Sequence, residues 1–380
     1  IDTQKRWGLL NDWTRGACLY GVIPANGFVY GTPNNCACFY EMKLTGLNAQ
    51  APAHADTNYP VADPENLRLQ TGPAYGQAVT SNPAGDDWPT YRHDWVRSAN
   101  TTNQVPTTLS EAWQTTLGGK LSSVTAAEGK LFVASINTHT IWALDAVTGA
   151  VAWSYTPGGP VDSPPTVFQG RAIFGCADGW VYCLRAADGA LIWRYQAAPT
   201  DLRITSYEQL ESVWPVSGSV LVLSNKVYCV SGRSMFLDGG LRLVMLDPTN
   251  GTKFSEIVMD DKVPGYYPSH PGANLQALDV NLTGPVGLPD ILSSDGQYFY
   301  MKSQQFALDG TRQHIGPHSA TDANNTAWTN QIGPGVHLFT PTGILDDTWV
   351  HRTYWVWGRA YSGGAGGYSQ AGKHAPCGQI

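Results

Sequence analysis

Charge is scarce in this chain. Only 14% of its 380 residues are charged, and 30 Asp and Glu outnumber 23 Lys and Arg, for a net charge of −7. A protein that holds nucleic acid electrostatically needs clustered basic side chains to displace counterions, so this composition excludes that class of partner. Long apolar runs are lacking too. No stretch approaches the roughly 18 residues that a membrane-spanning helix requires, so no transmembrane segment is expected. Helical periodicity is nearly absent, and residues 206–213 are the only stretch whose pattern predicts a short helix. Cysteine is sparse and odd in number: with seven, at least one thiol has no intrachain disulfide partner.

What remains is rich in turn formers and rings. Gly (41) and Pro (25) make up about 17% of the chain, well above the roughly 12% usual in proteins. Aromatics reach 11%, with 14 Trp among them, and the 42% of hydrophobic residues suffices for a large core. Many turns, many aromatics and few charges describe a β-rich protein with tight loops. The opening Ile1-Asp2-Thr3-Gln4 and the closing Gly378-Gln379-Ile380 are expected to be the ends of a processed form or of a fragment of a longer chain. Low Lys with abundant Trp, Asn, Thr and Gly leans towards an exported protein.

An internal repeat organises the chain. Trp113, Trp153 and Trp193 stand 40 residues apart, and the segments that end at the last two align with a single one-residue slip. The first, GKLFVASINTHTIWALDAVTGAVAW (129–153), and the second, GRAIFGCADGWVYCLRAADGALIW (170–193), each contain two alternating runs around a turn. Each then has Thr-Gly or Asp-Gly and a short strand ending in Trp. Periods of about 40 residues with several strands per unit predict the four-stranded antiparallel blades of a β-propeller; a β-solenoid is the competing architecture. Weaker copies extend the pattern at 226–254, 297–311, 27–49 and 336–358. In each turn, Asp145 or Asp247 can accept hydrogen bonds while Gly149, Gly189 or Gly251 supplies positive φ. Trp153 or Trp193 is then expected to pack back between blades. One propeller over 1–380 is expected, interrupted by Pro- and Gly-rich inserts at 47–105 and 358–375.

Leu144, Asp145, Ala146, Thr148, Gly149 and Trp153 resemble the L-D-A-x-T-G-x-x-x-W docking motif of pyrroloquinoline quinone (PQQ)-type propellers. Leu184, Ala186, Gly189 and Trp193 match it in the second copy, where Arg185 and Asp188 depart; Leu246, Asp247, Thr249 and Gly251 match in the third, with Phe254 near the Trp position. Asp87-Trp88-Pro89-Thr90-Tyr91-Arg92-His93-Asp94 is similar to the opening strand of such propellers. Residues 15–40 and 346–358 resemble stretches of large exported propeller proteins of planctomycete-type bacteria, which implies seven or eight blades in a complete chain. The family includes quinoprotein dehydrogenases and outer-membrane assembly-type scaffolds. The dehydrogenases imply PQQ with calcium, a reading that this chain disfavours: it has no Cys-Cys pair, its nearest being Cys36-Ala37-Cys38, and no C-x-x-C-H haem signature.

Histidines and an aromatic tract offer other chemistry. His314, His318, His337 and His351 fall within 38 residues, and imidazoles from converging loops can ligate a metal. His314, His318 and His337 are the metal candidates; polar loop histidines bonded to backbone are the plainer alternative. His351, Arg352 and Tyr354 suggest lyase-like chemistry, with His or Tyr moving a proton and Arg neutralising a uronic carboxylate. Strand alternation separates His351 from Tyr354 unless a bulge intervenes. Cys183 and Cys229 are expected as small buried residues between sheets. Trp349, Trp355, Trp357, Tyr361 and Tyr368 are blade core or a platform for sugars or a protein partner. The expectation is an exported propeller, periplasmic, cell-surface or extracellular, that acts as a binding or assembly scaffold for protein or polysaccharide. A quinoprotein oxidoreductase and a His- or metal-dependent enzyme on polysaccharide are the alternatives.

Overall fold

The computed structural model describes residues 21–32, 47–52, 58–206, 208–234, 237–260, 289–301, 304–313, 337–339 and 356–358. Near the start, β1 (Val22–Ala25), β2 (Phe28–Gly31) and β3 (Asn48–Gln50) form a three-stranded sheet. A single turn of helix, α1 (Glu65–Arg68), leads into β4 (Leu69–Thr71). Blade A follows as β5 (Leu121–Ala127), β6 (Lys130–Ser135), β7 (Thr140–Asp145) and β8 (Val151–Tyr155). Blade B is β9 (Thr166–Phe168), β10 (Arg171–Gly175), β11 (Trp180–Arg185) and β12 (Leu191–Gln196), and β4 adds to it as a fifth strand beside β12. After a hairpin of β13 (Arg203–Ser206) and β14 (Gln209–Ser212) comes blade C, with β15 (Leu221–Leu223), β16 (Lys226–Ser231), β17 (Leu241–Leu246) and β18 (Lys253–Met259). Blade D contributes β19 (Ser293–Ser294), β20 (Tyr298–Met301) and β21 (Gln304–Ala307), and a last pair joins β22 (His337–Phe339) to β23 (Val356–Gly358). Every pairing is antiparallel between neighbours in sequence except that of β4.

Period-two alternation decides how the blades stack. On β11, Trp180, Tyr182 and Leu184 join the core with Phe132, Ala143 and Trp153 of blade A. Val181 and Cys183, on the other face, join Val227, Cys229, Val244 and Leu246 of blade C. Blade C repeats the division: Tyr228, Val230, Leu243 and Met245 pack with Phe299, Met301 and Phe306 of blade D. A strand buried on both faces cannot alternate apolar with polar, which is why VYCL and KVYCV read as nearly continuous apolar runs. The free thiols of Cys183 and Cys229 are buried in this B–C core. Burial pushes the Cys229 thiol up to about 12, so it behaves as a small apolar group.

Residues 206–213, expected as a helix, instead supply β14 and the end of β13. The cause is tertiary. Ser212 N donates to Ala177 O at 2.7 Å, and His139 Nε2 lies 2.9 Å from Gln209 Oε1, so the hairpin is tied to neighbouring loops at both points. The 87–94 segment, expected as an opening strand, forms one isolated bridge, Trp88 to Ala126, and otherwise turns.

Candidate functional site

The repeat residues build interblade locks. Asp145 Oδ1 accepts hydrogen bonds from Val147 N, Thr148 N and the Thr148 hydroxyl at 3.1, 2.8 and 2.9 Å, closing the β7–β8 turn. These bonds hold its carboxyl below the ordinary aspartate range. Asp247 Oδ1 takes Thr249 N at 2.7 Å in blade C. The second copy lacks that acceptor, and the two departures compensate: Arg185 and Asp188 form a bidentate pair across the turn, Nε–Oδ1 2.8 Å and Nη2–Oδ2 2.6 Å. Into each turn comes the Trp of the preceding repeat. Trp113, Trp153 and Trp193 Nε1 donate to Ala146, Ala186 and Pro248 O at 3.2, 3.0 and 3.2 Å. The turn glycine is required twice over, for its positive φ and for space: a Cβ on Gly189 would lie 2.7 Å from the Trp153 ring, and one on Gly251 2.7 Å from Trp193.

The C-to-D joint departs from this pattern. Ser255, paired with Met245, occupies the register of Trp153 and Trp193, which pair with Ala143 and Cys183. Phe254 is the neighbouring residue, half exposed, with Lys226 Nζ 5.6 Å from its ring centre. An apolar contact replaces the Trp lock, because a Cβ on Gly310 would meet Ile257 and Met245.

At the inner edges, the first strands are joined by hydroxyls. Thr125 donates to Pro165 O at 2.9 Å, and Thr166, at the equivalent register, donates to Val220 O at 2.8 Å. Blade C has Leu221 at that register and no hydroxyl to offer. Arg97 takes over: its Nε donates to Leu292 O at 3.0 Å, while Nη1 donates to Thr90 Oγ1 at 2.8 Å and to Tyr91 O at 2.9 Å. Thr90 Oγ1 in turn lies 2.8 Å from Thr166 Oγ1, so one directed chain of bonds runs from Arg97 through both threonines to Val220 O. Backbone bonds fix the same segment to blade A (Trp88–Ala126), blade B (Val167 N to Pro89 O, 2.7 Å) and blade D (Ser294 N to Trp95 O, 2.8 Å). Residues 88–98 therefore bridge the inner strands of blades A, B and D. Three non-glycine residues there, Arg92, His93 and Arg97, and Ala99 just after the segment have positive φ, a conformation that the surrounding bonds must hold in place. Burial lowers the Arg97 guanidinium to about 10, against the pull of Asp94, Tyr91 and Asp290, so it stays charged at neutral pH.

The opposite ends of the strands form a loop face. The β13–β14 hairpin crosses it, held to blade A by His139, to blade B by Ala177, and to blade C by Arg233, whose Nη2 donates to Glu211 Oε2 at 2.5 Å and to Ser212 O at 3.1 Å. Trp214 is buried behind it and donates to Asp238 O at 2.8 Å. Leu202, Ile204 and Leu210 of this insert are exposed. Asp162 keeps surface open to water beneath the hairpin, although surrounding protein crowds it and raises its carboxyl above the ordinary range. Its Oδ1 accepts Gly218 N at 2.7 Å and the Ser163 hydroxyl at 2.8 Å.

His314, His318, His351, Arg352 and Tyr354 lie outside the described residues, as do the side chain of His337 and the segment 358–375 beyond β23. Among the described residues no three His, Cys, Asp or Glu gather as metal ligands would. A calcium-bound quinone needs carboxylate and carbonyl oxygens converging on one point. In the described hub Arg97 is bonded to the chain's own oxygens, with the carboxylates of Asp94 and Asp290 near it, while Asp162 on the loop face is engaged by Gly218 and Ser163. Among the described residues no group of three carboxylates converges in that way.

Four-stranded blades joined by Trp-to-turn locks define a β-propeller of PQQ-like repeats. Residues 102–262, less than half of the chain, match the family model described as outer membrane protein assembly factor BamB. The chain is similar to the dehydrogenase subunit of alcohol dehydrogenase (quinone) from Gluconobacter oxydans, 26% identical over 185 residues, 42% of this chain and 24% of that protein. It is also similar to BamB of Moranella endobia, 36% identical over 70 residues, 18% of each chain. The matched region thus spans a quarter or less of these relatives. A solved structure, quinohemoprotein alcohol dehydrogenase from Comamonas testosteroni, aligns with 71% of this chain and 46% of its own at 16% identity and a TM-score of 0.45.

Proposed function

We propose that this chain is an exported propeller that serves as a binding or assembly scaffold for a protein partner, with the β13–β14 hairpin on the loop face as its contact. The observation that carries this is the hub: residues 88–98 bond to the inner strands of blades A, B and D. A segment bonded to three blades rigidifies them, and rigid blades hold loops in fixed positions, as a binding surface requires. The similarity to an assembly factor supports the same role, and an exported location goes with it.

The test is site-specific photo-crosslinking in envelope extracts of the source cells. One cross-linker replaces Leu210 on the hairpin, and a control replaces Val147, which is 82% exposed on the turn at the other end of the strands. A discrete adduct from position 210, lost when residues 203–212 are replaced by a short Gly-Ser turn, is the expected result. Identical adducts from both positions, or none from 210, overturn the proposal.

A further inference from the structure

We infer that the outer edge of blade A is a second binding site, which takes an extended segment of a partner protein as a fifth strand. The precedent is in the chain itself. On blade B, β4 pairs antiparallel with the outermost strand, with Thr71 opposite Trp193, Gln70 opposite Arg194 and Leu69 opposite Tyr195. Gly72 N donates to Ile192 O at 2.8 Å, which shows that the peptide groups of alternate residues, Ile192, Arg194 and Gln196, face outwards. Leu69 seats against the lock, its Cδ1 within 2.8 Å of where a Cβ on Gly251 would stand, and Gln70 Oε1 takes two bonds from Arg194 at 2.9 and 2.7 Å. The outer strand of blade C is guarded differently, by charge: Lys253 and Glu256 are ion-paired to Glu65 and Arg68.

Blade A has neither device. Trp153 aligns with Trp193 through the shared lock, so Ala152 and Ser154 present the outward peptide groups on β8. Among the described residues β8 pairs with β7 alone, and no backbone bond from outside the blade reaches it. Its five residues, VAWSY, include no charge and no proline, and Val151, Ala152 and Ser154 are exposed. Natural edge strands are usually blunted by charge, proline or a covering segment. An edge left open beside the Gly189–Trp153 lock, the counterpart of the Gly251–Trp193 lock on which Leu69 seats, fits strand addition. The occupant is a segment of the pattern aliphatic–polar–Thr, like Leu69-Gln70-Thr71. Ser154 in place of Arg194 removes the demand for Gln in the middle. This rests on the scaffold proposal for its biological meaning and on blade geometry for its chemistry.

The test uses the full chain and a fluorescent synthetic peptide of residues 63–73, DPENLRLQTGP, supplied in trans. The chain's own copy occupies blade B, so added peptide is directed to blade A. Expected is saturable binding by anisotropy, weakened at least tenfold by Ser154→Pro. That change deletes an outward N–H and leaves the β7–β8 ladder intact. Ala152→Lys, which leaves the backbone donor in place and adds an edge charge, should weaken binding too, and unchanged near-ultraviolet circular dichroism confirms folding of both variants. No binding, or binding indifferent to both substitutions, overturns the inference. So does a dimer of the unmodified chain that Ser154→Pro dissolves, because the occupant would then be a second copy. No partner is needed here, and the loop-face cross-linking does not touch β8, so each proposal can fail without the other.

Discussion

Two glycines with the same backbone and different neighbours isolate what the Trp lock contributes. Gly129 has φ +72° and nothing within 4 Å of an added Cβ, while Gly189 has φ +74° and the Trp153 ring 2.7 Å from that Cβ. Alanine at either site must adopt a left-handed conformation, at a cost of about 1–2 kcal/mol. At Gly129 that should be the whole effect. At Gly189 the ring has to move. Trp153 is buried and its indole N–H is bonded to Ala186 O, so displacement adds an overpacking term of roughly 1–3 kcal/mol and most of a hydrogen bond worth about 1 kcal/mol. Gly189→Ala is therefore expected to destabilise by about 3–6 kcal/mol, against about 1–2 for Gly129→Ala. Urea titration followed by tryptophan fluorescence measures the difference directly, provided that the slope is unchanged between variants. If the two variants fall within 1 kcal/mol of each other, the ring is not locked against the turn and the account of the blade joints is wrong.

Arg97→Met should cost about 3–5 kcal/mol, because Leu292 O and Tyr91 O lose their donor inside the hub. Arg97→Lys should recover only part of it, since an ammonium cannot span the same fork of acceptors; a midpoint for Met within 1 kcal/mol of the parent would refute the hub assignment. Acid should loosen the strap of residues 65–71. Burial by itself would raise the Glu256 carboxyl, but hydrogen bonds and charge from Arg68 and then Arg242 hold it at about 2. A carboxyl lower in the folded state than in the unfolded one stabilises above the unfolded value near 4.5, and that contribution, about 3 kcal/mol at most, is lost as pH falls from there towards 2. Stability measured between pH 6 and 3 should drop more for the parent than for Glu256→Gln, and parallel curves would count against the assignment.

How much of this was legible in the chain depends on whether the cause was local. Asp145, Gly149 and Trp153 lie within nine residues, the Gly and Trp recur after 40 at Gly189 and Trp193 and the Asp returns at Asp247, and they act through a turn that the same residues close, so period and composition were enough to read them. The hub was not legible. Thr125 and Thr166 look like ordinary strand threonines, and Arg97 sits in an aperiodic stretch; only the stacking of blades B, C and D shows that a hydroxyl is missing at Leu221 and that a guanidinium replaces it. The three-residue β4 is too short to leave a periodic trace, and its pairing partner lies more than a hundred residues away. In residues 206–213 the apolar spacing favoured a helix, and contacts to His139 and Ala177 overrode it.

The exceptions to the repeat mark where this propeller stops being generic. Blades A and B are joined by hydroxyl and indole alike, and so are B and C. From C to D both devices change together: Leu221 offers no hydroxyl, and Ser255 offers no indole. The replacements, Arg97 at the inner edge and Ile257 and Met245 at the outer turn, come from different parts of the chain. One of them belongs to the segment that also bonds to blades A and B, so at the inner edge blade D is held by the hub segment where its forerunners are held by their neighbours. A joint that depends on residues 88–98 makes the order of assembly asymmetric. Blades A to C carry their own inner-edge locks, whereas blade D, packed on blade C through Phe299, Met301 and Phe306 and reached by Tyr228 Oη, which donates to Leu308 O at 2.9 Å, gains its inner-edge tie only once Arg97 is seated.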